Sequence, residues 1–271
     1  MAPAVEREGQ DSDSDLGPTD HSYPRFLAII TDGNGRWARA HDVPVNEGHS
    51  AGADTVKARL RDAAELGIRE LTVYSFSTEN WSRPVAEVQG LMAMFSKRIA
   101  GETPELHGEG VRIRFIGRRD GVSEQLVEQM SWAEELTEAN RRITLFVAFN
   151  YGGRAEILDA ARRFSAKRVA QSAEGRREGG GEPGPSSSIA GPLALQSDED
   201  EFRQCLYAPE MHDPDLIIRT SGERRLSNYL LWQSAYSELI FRDELWPDFT
   251  REALEQSLAE FSERRRRFGG R

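Results

Sequence analysis

From Phe26 onward, short unbroken apolar runs alternate with longer stretches in which apolar residues recur every three or four positions. The first kind reads as strand, the second as helix. Phe26–Ile30, Leu71–Phe76, Val111–Ile116, Ile143–Phe149 and, after Pro214, Leu216–Ile218 are the predicted strands. His49–Leu66 is a predicted helix, with Ala53, Val56, Leu60 and Ala64 on one side and Gly67 to end it. Val85–Ile99 gathers Val88, Leu91, Met92, Phe95 and Ile99 on one face. Ser123–Asn140, Arg154–Phe164, Tyr229–Ala235 and Arg251–Arg267 are the remaining predicted helices.

Strands separated by helices of about 10–18 residues imply right-handed crossovers and a mostly parallel sheet. FLAII and LFVAF show no polar alternation, which fits strands buried on both faces. The fold class is therefore α/β, a single domain with a mostly parallel central sheet flanked by helices. Residues 1–22 are polar and acidic and are expected to form a disordered tail ahead of a domain spanning 23–271. Asp11, Asp13 and Asp15 begin like a calcium loop. Leu16 stands where glycine is needed and Ser22 where glutamate is needed, so the run reads as solvated. Lys167–Glu201, with its GGGEPGPSSS run, is expected to be a flexible insertion within the domain.

Formal net charge is −10, which argues against a nucleic-acid partner. The single Cys205 excludes an internal disulfide and a cysteine zinc cluster. No apolar run approaches the roughly 20 residues of a membrane span. MAPAVEREGQDSDSD lacks the apolar core of a signal peptide, so a cytoplasmic protein is expected.

The chemistry gathers where strands end. Phe26–Ile30 empties into Asp32-Gly33-Asn34-Gly35-Arg36-Trp37. Ligand sites of open α/β sheets lie at such carboxyl ends. Glycines let backbone N–H groups approach an anion, and a following helix N-terminus adds positive potential. Asp32 repels phosphate unless a divalent cation bridges the two. The stretch is neither a P-loop nor a dinucleotide fingerprint, since no Gly-Lys-Ser/Thr follows and Asp54 falls inside a helical pattern. Asp-Gly and Asn-Gly are also ordinary turn dipeptides, so the motif alone does not decide. Other strands end in Ser75–Pro84, Asn150–Arg154 and Arg219–Asn228. A parallel sheet brings these ends to one edge. Arg36, Arg83, Arg219 and Arg225 could together bind two diphosphates. Alone, His49 would read as a helix cap or core histidine, and Glu238 as a surface glutamate.

DGNGRWA, Gly48-His49, FSTENWSRP, NYGGR and RTSGERRLSNYLLWQSAYSEL with LWPDF together resemble the cis-prenyltransferases, the undecaprenyl diphosphate synthase family. The similarity covers roughly residues 24–270. It implies head-to-tail condensation of isopentenyl diphosphate onto an allylic diphosphate, with Mg2+ as cofactor and an apolar substrate tunnel. Catalytic roles pass to Asp32, as a magnesium ligand, and to Asn80, matched to a residue that helps remove a proton. Gly33, Asn34, Gly35, Arg36, Trp37 and His49 match the allylic diphosphate site. Ser77, Thr78, Glu79, Trp81 and Arg83 match the substrate-contacting run. Arg219, Arg225, Leu226 and Ser227 match the isopentenyl diphosphate site, and Glu238 a second magnesium ligand given across a dimer.

The resemblance further implies a homodimer and peripheral membrane contact for product release. Arg264–Arg267 and the Phe268-Gly269-Gly270 that follows are expected near the partner's site. Val45 departs from the family, where an arginine often precedes the histidine by four residues. The missing contact would come from elsewhere, for example Arg39. Thr31 stands where methionine is common. A small residue at Ser75 leaves a tunnel open and points to a long-chain, lipid-carrier product. The alternatives are a short-chain synthase and a catalytically silent partner subunit. Silent relatives lose the aspartate loop and much of RTSGE, both present here.

Overall fold

All five predicted strands form, and a sixth joins them. The computed structural model describes residues 23–178 and 192–264. In chain order the elements are β1 (Phe26–Ile30), α1 (Asn34–Ala40), α2 (Val45–Glu65), β2 (Glu70–Ser77), α3 (Val85–Gly108), β3 (Val111–Ile116), α4 (Glu124–Thr137), β4 (Ile143–Tyr151), α5 (Gly153–Glu178), α6 (Pro192–Arg203), β5 (Leu216–Arg219), β6 (Glu238–Phe241) and α7 (Arg251–Glu263). Single 3-10 turns occupy Thr78–Ser82 and Trp246–Asp248. Ser123 caps α4 by accepting from the Leu126 N–H, and Thr250 caps α7 through the Ala253 N–H.

The six strands lie in the order β3-β4-β2-β1-β5-β6, and every pair is parallel. Leu27 and Ile29 face a large apolar cluster with Leu71, Val73, Leu216 and Ile218. Ala28 and Ile30 face a second cluster with Phe146, Ala148, Ile217, Tyr229 and Leu230. Both faces of β1 are covered, which is why its sequence is apolar throughout. From β1 the chain moves to β2 on one side and later returns as β5 on the other. The crevice above the β1 and β5 carboxyl ends is thus the topological switch point, where such sheets bind ligands.

Tyr229–Ala235, predicted helical, is a run of turns. Ser227, Asn228 and Leu230 have φ of 49°, 65° and 42°, and the left-handed backbone cannot extend a right-handed helix. The predicted insertion is ordered at both flanks. α5 runs on to Glu178, α6 begins at Pro192, and Arg168 pairs with Asp198 and Glu201. Its GGGEPGPSSS run, like residues 1–22 and 265–271, lies outside the described residues. α7 ends at Glu263, where Arg264 is extended (ψ 121°), and residues 265–267 of the predicted helix lie outside the described residues.

Candidate active site

Asp32 leaves β1 with its backbone pinned. Its N–H donates to Thr220 Oγ1 at 3.1 Å, and its carbonyl accepts from Thr220 Oγ1 at 2.7 Å and the Trp246 N–H at 3.0 Å. Gly33 follows at φ 117°, and a Cβ there would lie 3.0 Å from a Leu245 methyl, so only glycine fits the turn into α1. Arg219, the last residue of β5, donates from Nη2 to Asp32 Oδ2 at 2.9 Å and from Nη1 to Ser227 Oγ at 2.7 Å. Its Nε is buried without a partner. Arg36 Nη2 lies 3.5 Å from the same Asp32 oxygen and donates to Ser221 Oγ at 2.5 Å. Burial opposes ionisation of Asp32. Bonds from Arg219 and Ser221, with the charges of Arg219 and Arg36, outweigh it and hold the carboxyl below its ordinary pKa.

Three cavities meet here. The first is polar and is lined by Gly33, Asn34, Gly35, Arg36, Arg39, His49 and Arg83. The second is lined by Tyr74, Ser77, Glu79, Asn80, Arg219, Ser227 and Asn228. Asp32 lines both, as does Thr31. The third is apolar, with an empty volume of about 860 Å³ including its mouth. It runs between the sheet and the α2–α3 pair, past Val56, Val73, Leu91, Phe95, Ile99, Leu106, Ile113, Leu145 and Val147. Thr31, Asn34 and His49 line both this cavity and the first, so they form the neck between them.

The other predicted residues divide. Asn80 Oδ1 accepts from the Ser77 N–H at 2.9 Å, fixing the carboxamide in the second cavity. Glu79 Oε1 accepts from Asn228 Nδ2 at 2.7 Å. Burial again disfavours its charge, but Asn228 and nearby donors lower its pKa. Arg83 pairs with Glu87 at 3.0 Å. His49 Nε2 lies 3.5 Å from the same Glu87 oxygen. Burial and the charge of Arg83 lower the His49 pKa against the pull of Glu87.

Other side chains point elsewhere. Trp37 donates from Nε1 to Asp248 at 2.7 Å and stacks on His41, bracing α1 from outside. Trp81 donates from Nε1 to Asn150 at 2.8 Å and meets Phe76 edge to face. Thr78 Oγ1 donates to Glu79 at 3.2 Å. Arg225 pairs with Glu223 at 2.5 Å, while its carbonyl accepts from Arg219 Nη1. Leu226 packs against the second apolar cluster.

Glu238 is not brought to Asp32. It opens β6 in register with Leu216, three residues before the register of Arg219. That offset puts it about 10 Å back along the strands. There it pairs with Arg264 at 2.9 Å.

Several contributors went unassigned in the sequence, Asn228 although it lies inside the RTSGERRLSNYLL motif. Thr31 donates from Oγ1 to the Tyr74 carbonyl at 2.9 Å. Asn228 bridges Glu79 to the start of α5, where its Oδ1 accepts from the Arg154 N–H at 2.8 Å. Gly52 lines the apolar cavity beside Asn34, and its spacing of four from Gly48 was the one available signal. Among the described residues no group of three or more His, Cys, Asp or Glu side chains could cage a metal. An ionised Asp32 shared with substrate diphosphate oxygens and water does suit Mg2+, which is bound through few carboxylates.

The chain matches, over residues 30–269, the family described as "Putative undecaprenyl diphosphate synthase". It is 48% identical over 254 residues to isoprenyl transferase 2 of Bradyrhizobium diazoefficiens, covering 94% of this chain and 93% of that one. It is 47% identical over 247 residues to the isoprenyl transferase of Thermotoga maritima, covering 91% of this chain and 97% of that one. Among solved structures it resembles lavandulyl diphosphate synthase from Lavandula x intermedia in complex with dimethylallyl diphosphate, at 34% identity and TM-score 0.81, over 93% of this chain and 100% of that one. A "probable undecaprenyl diphosphate synthase" from Campylobacter jejuni matches at 28% identity and TM-score 0.70, over 91% of this chain and 99% of that one. The parallel sheet, the charged crevice at its switch point and these similarities agree: the chain belongs to the cis-prenyltransferase, or undecaprenyl diphosphate synthase, family and is a prenyl-transferring enzyme.

Proposed function

We propose that the enzyme condenses isopentenyl diphosphate head to tail with an allylic diphosphate, and repeats the step to give a long cis-polyprenyl diphosphate such as undecaprenyl diphosphate. The observation that carries this reading is the meeting of two charged cavities at Asp32, one of which opens through a neck into an apolar cavity. Two diphosphates need two cradles, and a growing hydrocarbon needs a dry channel leading from one of them.

In this reading the allylic diphosphate lies against Gly33–Arg36 and Arg83, with its tail beyond Thr31, Asn34 and His49. Isopentenyl diphosphate lies against Arg219 and Ser227. The allylic C–O bond breaks, and its electron pair leaves with the diphosphate. The isopentenyl double bond supplies the pair for the new C–C bond, and loss of a proton restores a double bond. Arg36 and Arg83 offset the charge that builds on the leaving group. Asp32 would hold a magnesium ion, whose chemistry is further neutralisation of diphosphate charge. Asn80 is too weak a base to keep the proton, so its role is to orient the group that loses it. The apolar walls shield the allylic cation from water.

Product length is the finer part of the proposal. The cavity follows α3 from Leu91 to Leu106, about 22 Å of helix. Extended chains advance about 1.2 Å per bond, so about five four-bond isoprene units fit end to end. That supports a product of several units. The likeness to lavandulyl diphosphate synthase keeps a short-chain product as the second reading.

A cytoplasmic enzyme touching the membrane for product release fits a hydrophobic product. No described helix is long and apolar enough to cross a membrane, and Val85 stands 72% exposed beside Trp81. Glu238, remote from Asp32 in its own chain, could serve a metal only in a partner's site, so its assigned role requires the homodimer. Incubation with radiolabelled isopentenyl diphosphate, allylic primers and magnesium, followed by reversed-phase chromatography, tests the whole. No labelled prenyl product would refute it, and a single-addition product would select the second reading.

A further inference from the structure

We propose that Gly52 is a positioning residue for bond cleavage: its lack of a side chain admits the Asn34 carboxamide into the neck, aimed at the oxygen that departs with the diphosphate. The inference rests on the prenyl-transfer reading above.

Gly48 and Gly52 lie four apart and share one face of α2. Glycine inside a helix lowers its stability relative to alanine. Neither residue has a positive φ, so the backbone does not require glycine there. Space does. A Cβ on Gly48 would lie 2.3 Å from the Asn34 carbonyl oxygen. A Cβ on Gly52 would lie 2.3 Å from Asn34 Oδ1, 2.9 Å from Cγ and 3.0 Å from Nδ2. One glycine thus receives the backbone of Asn34, and the other its amide. Gly101, inside α3, shows the contrast, because a Cβ there meets nothing within 4 Å.

The seated amide has no use within the protein. Asn34 Oδ1 is buried without a hydrogen-bond partner, while the neighbouring His49 Nε2 faces the Glu87 carboxylate at 3.5 Å. Orphaned buried polar groups are costly and call for an explanation. Both residues line the diphosphate cavity and the apolar cavity at once. A substrate with its anion in one and its hydrocarbon in the other must have its scissile C–O bond at this neck. Oδ1 can only accept, so the donor is the Nδ2 group that the same seat holds beside it; its N–H donates to the leaving oxygen as the electron pair arrives, with no proton transferred. Exchanging the amide's N and O assignment leaves the fit against Gly52 unchanged.

The test compares wild type, Gly52→Ala, Asn34→Ala, the double variant and Gly101→Ala in steady-state assays with labelled isopentenyl diphosphate and an allylic diphosphate. Thermal midpoints are recorded alongside. Losing a donor of this kind lowers kcat by about a hundredfold. Asn34→Ala and Gly52→Ala should both do so with little change in KM, and the double variant should be no slower than Asn34→Ala. Gly101→Ala should match wild type. Additive losses in the double variant, an unchanged kcat in either single variant, or losses that track the thermal midpoint would overturn the proposal. If Gly52→Ala does not fold, a folded Asn34→Ala with full kcat would overturn it, and one with lowered kcat would support it. An inactive wild type would instead refute the prenyl-transfer reading.

Discussion

Arg219 grips Asp32 across the gap between β5 and β1, Nη2 to Oδ2 at 2.9 Å, with side chains 5% and 32% exposed. Without diphosphate, each is the other's main counter-charge. Asp32→Ala should therefore have two separable effects. Turnover should fall by about a hundredfold or more. The thermal midpoint should fall by about 2–4 °C for each kcal/mol that the unpaired Arg219 costs. Inorganic diphosphate without metal should then raise the midpoint more in the variant than in wild type, because the repelling carboxylate is gone. Normal turnover would remove Asp32 from the mechanism. An equal diphosphate response would show that the cations were not balanced by it.

Metal removal follows from the same charges. In the proposed reading Asp32 and two diphosphates share one crevice, and the nearby arginines are partly engaged by Asp32, Glu87 and Glu223. Chelation should abolish turnover and added magnesium should restore it. Full activity in thoroughly metal-free buffer would contradict the shared role drawn for Asp32.

Arg39 lines the first charged cavity, the proposed allylic site, and has no ion-pair partner among the described residues. Val45 is exposed at the start of α2 and does not line that cavity. Arg39→Ala should raise the KM for the allylic diphosphate by about tenfold, the worth of one charged hydrogen bond, and leave that for isopentenyl diphosphate nearly unchanged. Initial-rate measurements with each substrate varied would decide. Equal shifts in both constants would mean that Arg39 acts on the site as a whole.

The sheet was legible because β1 and β4 are buried on both faces and therefore spell the continuous apolar runs FLAII and LFVAF. β6 was not, because ELIF is four residues long and opens with a glutamate. The turns at Tyr229–Ala235 mimic helical spacing. What breaks the helix is left-handed backbone at Ser227, Asn228 and Leu230, with no glycine to announce it. The charged residues of the crevice could be read from strand ends, but their division of labour could not. Trp37 and Arg225 sit inside the motifs yet turn outward to Asp248 and Glu223. The reason for Gly52 lies at Asn34, on another helix, where no local pattern reaches.

Glu156 gives the fold a pH dependence of its own. It is 1% exposed and accepts from Tyr151 at 2.5 Å, Gln233 at 3.1 Å and the Tyr207 N–H at 3.0 Å. Burial raises its pKa above 4.5 despite these donors. Its stabilising contribution is therefore full below the unfolded value and is lost as pH rises through the folded one. Glu156→Gln removes that loss. Gln233 Oε1, now without a partner, can turn to accept from the new amide. Melting curves should show the variant gaining on wild type as pH rises from 4 to 8. A constant difference across that range would mean that Glu156 titrates alike in both states.

Ser75 offers a test of where the hydrocarbon runs. It lies on β2, two residues before Ser77 of the second charged cavity, and it lines the apolar cavity. A larger side chain there would fill the upper part of that cavity while leaving the residues of both charged cavities in place. Ser75→Phe should therefore still use isopentenyl diphosphate but stop after fewer additions. Leu106→Trp, at the far end of the α3 wall, should shorten the product less. The graded result follows from distance along the helix, since each condensation pushes the chain deeper by about 4.8 Å. Reversed-phase chromatography of labelled products reads the outcome directly. If both variants gave the wild-type length distribution at reduced rate, the chain would not grow along α3. If Leu106→Trp truncated the product more than Ser75→Phe, the chain would enter the cavity from the opposite end.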